Sequence, residues 1–362
     1  MSASHASLWG IVLAGGEGER LKGFVREQFG TEVPKQFCAF FGERTMLERT
    51  IQRARLLIPS KRLVVVGTAH HHQHIFRSLG PSPPGTVLLQ PANRDTAPGI
   101  LLPLIHILQK DPQALVVILP SDHFVLPGYR FMRAVQDAAQ YVARTAIDRP
   151  ILLAIEPSWP EPEYGWIEPG EALGAGDQHT IQRINRFIEK PTYDQVESLM
   201  RDGWLWNTMV IVARAPALIT LVRKRLPELT ACFTLLQRFL GTAWEHDLIN
   251  EVYQSIPKVN FSTSVLAARS SSSLLLRVRN VRWSDLGTKE RIISTLAELG
   301  LFPPVSVRGL DDGLAISAKR KYALEENHMG GKCRSRVKVL ETDGVMGTDA
   351  ILSARSVRRR ST

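Results

Sequence analysis

The chain has 362 residues, 44% hydrophobic and 22% charged, with a formal net charge of +10 at pH 7. That length buries a sizeable core, and the composition is that of a globular rather than a disordered chain. No apolar run approaches the roughly 20 residues of a membrane helix, the N-terminus lacks a charged-then-apolar leader, and Cys38, Cys232 and Cys333 are odd in number and far apart. The expectation is a cytoplasmic protein without a membrane span, disulfide framework or zinc-cysteine site.

The first element is the short apolar run Trp9 to Leu13, followed at once by Ala14, Gly15, Gly16 and Gly18. This reads as a buried parallel strand breaking into a loop whose backbone turns sharply and approaches a ligand. Arg20 and, after Pro34, Lys35 add two cations behind the loop, a combination suited to a polyphosphate. The phosphate loop of nucleotide hydrolases is excluded, because no Lys-Ser/Thr pair follows the last glycine. The dinucleotide fingerprint fails at Leu21, where it needs a glycine.

Further along, Thr45 to Leu57 reads as an amphipathic helix, Arg62 to Gly67 as a strand and Thr86 to Leu89 as a short strand. Thr96 to Gln109 is a helix and Ala114 to Leu119 a core strand, followed by a helix over Phe131 to Thr145 and a strand over Ile151 to Ile155. Proline, glycine and glutamate dominate from Ser158 to Gly176, which predicts loop over a site. A strand over Ile181 to Phe187, a helix over Asp194 to Asp202 and a strand over Met209 to Ala213 precede a helical region from 216 to 255. The alternation predicts an α/β fold with a Rossmann-like doubly wound, mostly parallel sheet. From residue 301 to 362 the periodicity fades, and residues 303–362 hold 12 Lys/Arg against 7 Asp/Glu. A catalytic domain over 7–300 and a basic, weakly ordered tail over 301–362 are therefore expected. Half the positive excess lies in that tail, so the body is only mildly basic; a small polyanion suits it better than nucleic acid.

Asp122, in Leu119-Pro120-Ser121-Asp122-His123, falls just past the carboxyl end of a core strand, where open α/β sheets place ligands; it also fits as a cap for the next segment. Asp285, in Trp283-Ser284-Asp285-Leu286-Gly287, fits either a second metal carboxylate or a turn before glycine. Glu189-Lys190-Pro191 ends a strand; alone it reads as a solvated turn, but a carboxylate matches paired hydroxyls and an ammonium matches a phosphate. Thr96 fits a plain helix start with Pro98 in its first turn. His70, His71, His72 and His74 follow a strand at a surface turn and read as a turn rather than a metal tract.

Taken in order, the glycine loop with Arg20, Pro34-Lys35-Gln36, Pro91 to Pro98, Pro120-Ser121-Asp122-His123, Tyr164-Gly165-Trp166-Ile167, Glu189-Lys190-Pro191, Trp206-Asn207 and Trp283 to Gly287 resemble the motifs of sugar-phosphate nucleotidyltransferases. The Pro-Lys-Gln and Pro-Ser-Asp-His forms look most like the mannose-1-phosphate guanylyltransferase branch. The resemblance implies a nucleotide-diphospho-sugar transferase type of fold, and GTP and a hexose 1-phosphate, mannose first, as substrates giving GDP-sugar and pyrophosphate. It implies Leu13, Ala14, Gly15, Gly16, Gly18, Arg20, Lys35, Asn93 and Thr96 around the nucleotide. It implies Tyr164, Gly165, Glu189, Lys190 and Asn207 around the sugar phosphate, and Mg2+ on Asp122 and Asp285. Arg20, Lys35, Asp122, Lys190 and Asp285 are the implied catalytic set. A homodimer is compatible with the pattern.

Several positions depart from that pattern: Glu163 for the first glycine of the sugar loop, Asp95 for asparagine, Thr208-Met209 for Ser-Gly, and Lys22-Gly23-Phe24 for Trp-Pro-Leu. The β-helix or isomerase segment that follows many such domains is not recognisable here. The departures leave two alternatives, another nucleotide and hexose pair, or a silent nucleotide-sugar-binding regulatory subunit.

Overall fold

A computed structural model describes residues 7–301 apart from 81–82, 146 and 176–178. The chain divides into two units, Met1–Leu310 and Asp311–Thr362, and every described residue belongs to the first; the expected tail from residue 302 onward lies outside the described residues.

The N-terminal half alternates as its pattern predicts. Strand β1 (Leu8–Leu13) is followed by helices α1 (Lys22–Phe29) and α2 (Met46–Arg55), strand β2 (Leu63–Thr68), helix α3 (His72–Leu79) and strand β3 (Thr86–Gln90). Helix α4 (Thr96–Lys110), strands β4 (Leu115–Pro120) and β5 (Phe124–Leu126) and helix α5 (Gly128–Arg144) complete it. Helix α2 starts where it does because Thr45 and Glu48 form a reciprocal cap, the Thr45 hydroxyl accepting from the Glu48 N–H at 3.2 Å and the Glu48 carboxylate from the Thr45 N–H at 2.6 Å. Helix α4 is buried along most of its length, which explains its nearly unbroken apolar sequence.

The second half contains β6 (Ile151–Ile155), β7 (Gly165–Ala175), β8 (Thr180–Glu189), α6 (Tyr193–Arg201), β9 (Leu205–Arg214), α7 (Ala215–Arg225), α8 (Pro227–Gln237) and α9 (Glu245–Ser255). Strands β10 (Leu274–Val278) and β11 (Arg282–Ser284) and helix α10 (Lys289–Glu298) close it. Two expectations are corrected here. Residues 165–175, expected as loop, form a strand; its register shifts at Glu168/Pro169, Pro169/Ala172 and Ala172/Gly174 accommodate a proline and glycines that look like turn residues in sequence. The helical region from 216 to 255 is three helices, because Pro227 and the 238–244 turn interrupt it.

The nine-stranded sheet has the order β3-β2-β1-β4-β9-β6-β10-β8-β7. The parallel expectation holds for β3, β2, β1 and β4 and for the β6/β10 pair. Strand β9 runs antiparallel between β4 and β6, and β8 and β7 are antiparallel at the far side, so the sheet as a whole is mixed. Helices cover both faces. Ile11, Val116 and Ile118 point to a core shared with α4, α7 and α8, whereas Val12, Val117 and Leu119 point to a core shared with α2 and α5. No helix among the described residues is long and apolar enough to cross a membrane.

Two local devices position the edge where the strands end. Opposite the bulge between Leu153 and Ala154, Met209 adopts a left-handed backbone, φ 57°, and the Thr208 hydroxyl donates to the Leu153 carbonyl at 2.6 Å. The Thr208-Met209 departure thus occupies a backbone conformation that glycine takes freely. A two-stranded ribbon pairs β11 with β5, Ser284 opposite Phe124 and Trp283 opposite Val125, which sets Asp285 beside the Asp122-His123 turn. Trp283 clamps this ribbon, its ring centroid 5.1 Å from both His123 and Tyr164. Trp283→Ala is expected to cost about 3–5 kcal/mol, read as a lowered midpoint of urea unfolding; an unchanged midpoint would show that the ribbon does not depend on the indole.

Candidate active site

Strands β1 and β4 end side by side, Leu13 opposite Pro120, so the glycine loop and the Ser121-Asp122 turn leave the same edge of the sheet. Ser121 ties them together: its N–H and its hydroxyl both donate to the Leu13 carbonyl, at 3.0 and 2.6 Å. Gly18 has φ 67°, and a side chain there would press on Pro34 at 3.0 Å, so only glycine lets the loop fold onto the Pro34-Lys35 turn. Gln36, buried, donates its amide to the Ala14 and Gly16 carbonyls at 3.2 and 2.7 Å and fixes the loop from below. From the other side the Asn93 amide donates to the Gly15 carbonyl at 3.1 Å while its oxygen accepts from the Asp95 N–H at 2.9 Å. Thr96, capped by Asp95 at the start of α4, accepts from the Phe261 N–H at 2.7 Å.

These walls enclose a cleft of about 650 Å³ that includes Gly15, Gly16, Gly18, Arg20, Lys35, Asn93, Thr96, Asp122 and Asp285. On its floor the Lys35 ammonium meets both aspartate segments, 3.0 Å from Asp122 Oδ2 and donating to the Asp285 carbonyl at 2.5 Å. Asp285 Oδ1 accepts from Arg291 at 2.5 Å, from the Tyr164 hydroxyl at 2.9 Å and from the Gly287 N–H at 2.9 Å. Burial is the largest single influence and raises both aspartates, but Lys35 acting together with His123 at Asp122 and with Arg291 at Asp285 outweighs it; both carboxyls are held below their ordinary range. Burial pushes the neighbouring His123 down, toward the neutral imidazole.

Asp285 Oδ2 accepts no hydrogen bond among the described residues, and Asp122 Oδ1 has only His123 Nε2 at 3.7 Å. Two ionised carboxylates, each with an oxygen to spare beside an open cleft, fit a hard divalent cation that completes its shell with water and phosphate.

The other sequence-derived residues form a second cluster beyond the cleft. A side chain at Gly165 would collide with Glu189 Oε2 at 2.7 Å and approach Asn207 Cβ at 3.3 Å, so the absence of one keeps these two groups together. Lys190, with φ 51°, donates its N–H to the Tyr164 carbonyl at 3.1 Å. Tyr164 itself is buried with its hydroxyl committed to Asp285, and the Asn207 side-chain oxygen is taken by the Met209 N–H at 3.1 Å. Glu163 spans the two clusters, with Oε2 2.6 Å from Arg20 and 3.8 Å from Lys190.

Arg291 and Glu161 escape sequence reading. Both are buried and paired at 3.1 Å, and Glu161 also accepts from Trp159 and from the Glu163 N–H. No local pattern marks either residue, since Arg291 sits in an ordinary amphipathic helix; the signal available was the position of Arg291 only 6 residues beyond Asp285.

Glu189 Oε2 is buried without a hydrogen-bond partner, and burial raises its pKa above the ordinary 4.5, with Lys190 only partly opposing. The folded-state value lies above the unfolded one, so this group favours the fold fully below the unfolded value and loses that contribution as pH rises through the folded value. Glu189→Gln is therefore expected to gain stability relative to wild type as pH rises from 4 to 8, measured by thermal unfolding across that range. A constant difference would mean that the carboxyl titrates normally.

Residues 9–300 match the family described as Nucleotidyl transferase. A mannose-1-phosphate guanylyltransferase of Salmonella montevideo is 28% identical over 77% of this chain and 58% of its own length. The xanthan biosynthesis protein XanB of Xanthomonas campestris pv. campestris (strain B100) is 26% identical over 94% of this chain and 69% of its own. A solved structure described as mannose-1-phosphate geranyltransferase, from Thermus thermophilus, has 28% identity and a TM-score of 0.67, covering 80% of this chain and 79% of that one. The chain thus spans little more than half of the Salmonella relative. With the match running across the glycine loop, the Lys35-centred floor and the β11 turn alike, the chain belongs to the nucleotidyl transferase family.

Proposed function

We propose that the chain transfers a guanylyl group from GTP to mannose 1-phosphate in the cytoplasm, giving GDP-mannose and pyrophosphate. The observation that carries this reading is the convergence of Lys35 with Asp122 and the Asp285 segment at the floor of a glycine-walled cleft. The names of the relatives supply the choice of nucleotide and sugar.

In this reading the triphosphate lies along the glycine loop, with Arg20 and Lys35 offsetting its charge, and the α-phosphorus faces the second cluster. Lys190 steadies the phosphate of the sugar, and Glu189, desolvated and unpartnered, gains its missing hydrogen bonds from sugar hydroxyls. An oxygen of the sugar phosphate, already ionised at neutral pH, attacks the α-phosphorus and pyrophosphate leaves; no side chain needs to be a nucleophile. Asp122 and Asp285 would hold Mg2+, which would supply positive charge to offset that building on the phosphates. Tyr164 and Arg291 act through Asp285, fixing the direction of its carboxylate. The chemistry rests on positioning and charge compensation.

The test is pyrophosphate release in magnesium, four nucleotides crossed with mannose, glucose and N-acetylglucosamine 1-phosphates. Release confined to GTP with mannose 1-phosphate supports the reading, release with another pair moves the specificity, and binding of GDP-mannose without any release favours a regulatory subunit. Asp122→Ala is expected to keep the fold, seen by circular dichroism, and to lower turnover by about 100-fold or more; retained turnover would remove Asp122 from the site. Glu163→Gln, which releases Arg20 and Lys190 from an internal carboxylate, is expected to lower KM for the phosphorylated substrates. An unchanged KM would show that the Glu163 contacts do not compete with them.

A further inference from the structure

We propose that Glu17, His70 and His71 form a binding site for a borderline divalent cation of the Zn2+ type, separate from the Asp122/Asp285 pair. Glu17 lies within the glycine loop and the histidines in the turn after β2, yet their ligand atoms all come within 4.8 Å of one another. Glu17 Oε2 is 2.9 Å from His70 Nε2 and 3.7 Å from His71 Nε2. A tetrahedral ion with bonds of about 2.0–2.1 Å holds its donors roughly 3.3 Å apart. The two separations from Glu17 bracket that spacing, and small side-chain rotations of Glu17 and of half-exposed His70 toward buried His71 would bring the three donors onto it.

His71 is already set for the task. Its Nδ1 is 2.8 Å from the Thr68 hydroxyl and its ring meets Phe37 edge-on at 5.8 Å, so Nε2 is left facing Glu17. A hydrogen bond on the far ring nitrogen that fixes tautomer and orientation is what holds an imidazole ligand in place. The neighbouring histidines do not join: His72 Nδ1 lies 3.0 Å from the Ala69 carbonyl and His74 stacks on Phe37 at 5.5 Å.

The donor set decides the ion. Two imidazoles and one carboxylate suit Zn2+, Co2+ or Ni2+, whereas Mg2+ prefers an all-oxygen shell. Three protein ligands leave a position open to water. Because Glu17 also lines the cleft, a cation here would pin the glycine loop to the β2 turn. The proposal does not depend on the sugar or nucleotide assigned above.

The experiment is a Zn2+ titration of the untagged, chelator-stripped full chain in competition with a chromophoric chelator, with excess Mg2+ present. Binding is expected to be unaffected by Mg2+, weakened about tenfold or more in Glu17→Gln, His70→Ala and His71→Ala, and retained in the His72→Ala/His74→Ala double variant. Co2+ in place of Zn2+ is expected to give visible d–d absorption that the same three variants remove. Absence of tight Zn2+ binding, or binding that survives Glu17→Gln and His70→Ala, would overturn the site. Should His71→Ala fail to fold, those two variants at more exposed positions decide the outcome.

Discussion

One guanidinium holds the business end of this molecule together. Arg291, buried in α10, joins Glu161 at 3.1 Å and Asp285 at 2.5 Å, and so binds the 159–166 segment to the turn after β11. Two carboxylates taken out of water need such a partner, and removing the cation would leave Glu161 with neutral donors alone and Asp285 with Lys35 as its remaining cation, at a cost of about 3–5 kcal/mol. Everything aimed into the cleft from that side depends on it. Glu161 fixes the loop that carries Glu163, Glu163 contacts Arg20 and Lys190, and Asp285 supplies the carbonyl that receives Lys35.

Charge alternates through this region in layers. From the outside inward, Arg20 and Lys190 face Glu163, Lys35 faces Asp122, and Arg291 faces Glu161 and Asp285. Each of these cations is therefore partnered by a carboxylate when no substrate is present. In the proposed reaction, arriving phosphates exchange with carboxylates already in place rather than meeting bare cations. That arrangement limits the repulsion a cluster of cations would otherwise build up and leaves the binding energy to the difference between phosphate and carboxylate.

The parts of this structure legible in sequence are those set by short-range pattern. Strands β1, β2, β4 and β6 announce themselves because central parallel strands are buried on both faces. The glycine loop, Pro34-Lys35 and Asp122 fall at strand ends where an open sheet exposes them. Strand β7 was hidden because beyond Ile167, where it pairs with β8 but no longer with β9, its open side tolerates Pro169 and Gly170 at bulges that elsewhere mark a turn. The antiparallel run of β9 has no mark in its own residues, since pairing direction depends on partners far along the chain. The same holds for Glu17 against His70, 53 residues apart, and for Tyr164 against Asp285, 121 apart. Similarity to the Xanthomonas protein covers 94% of the chain, so it reaches beyond residue 301, where sequence periodicity is weak.

The strand order has a consequence for biosynthesis. Strand β10 sits between β6 and β8 although it is made some 85 residues after β8, and β9 joins β4 to β6 only once residue 214 has emerged. A chain leaving the ribosome carries unpaired edges on β4, β6 and β8, flanked by apolar faces, until its last strands arrive. Such edges recruit other chains. Nascent protein of this topology thus keeps apolar strand edges open to other chains over the roughly 150 residues made between the end of β4 at Pro120 and the start of β10 at Leu274.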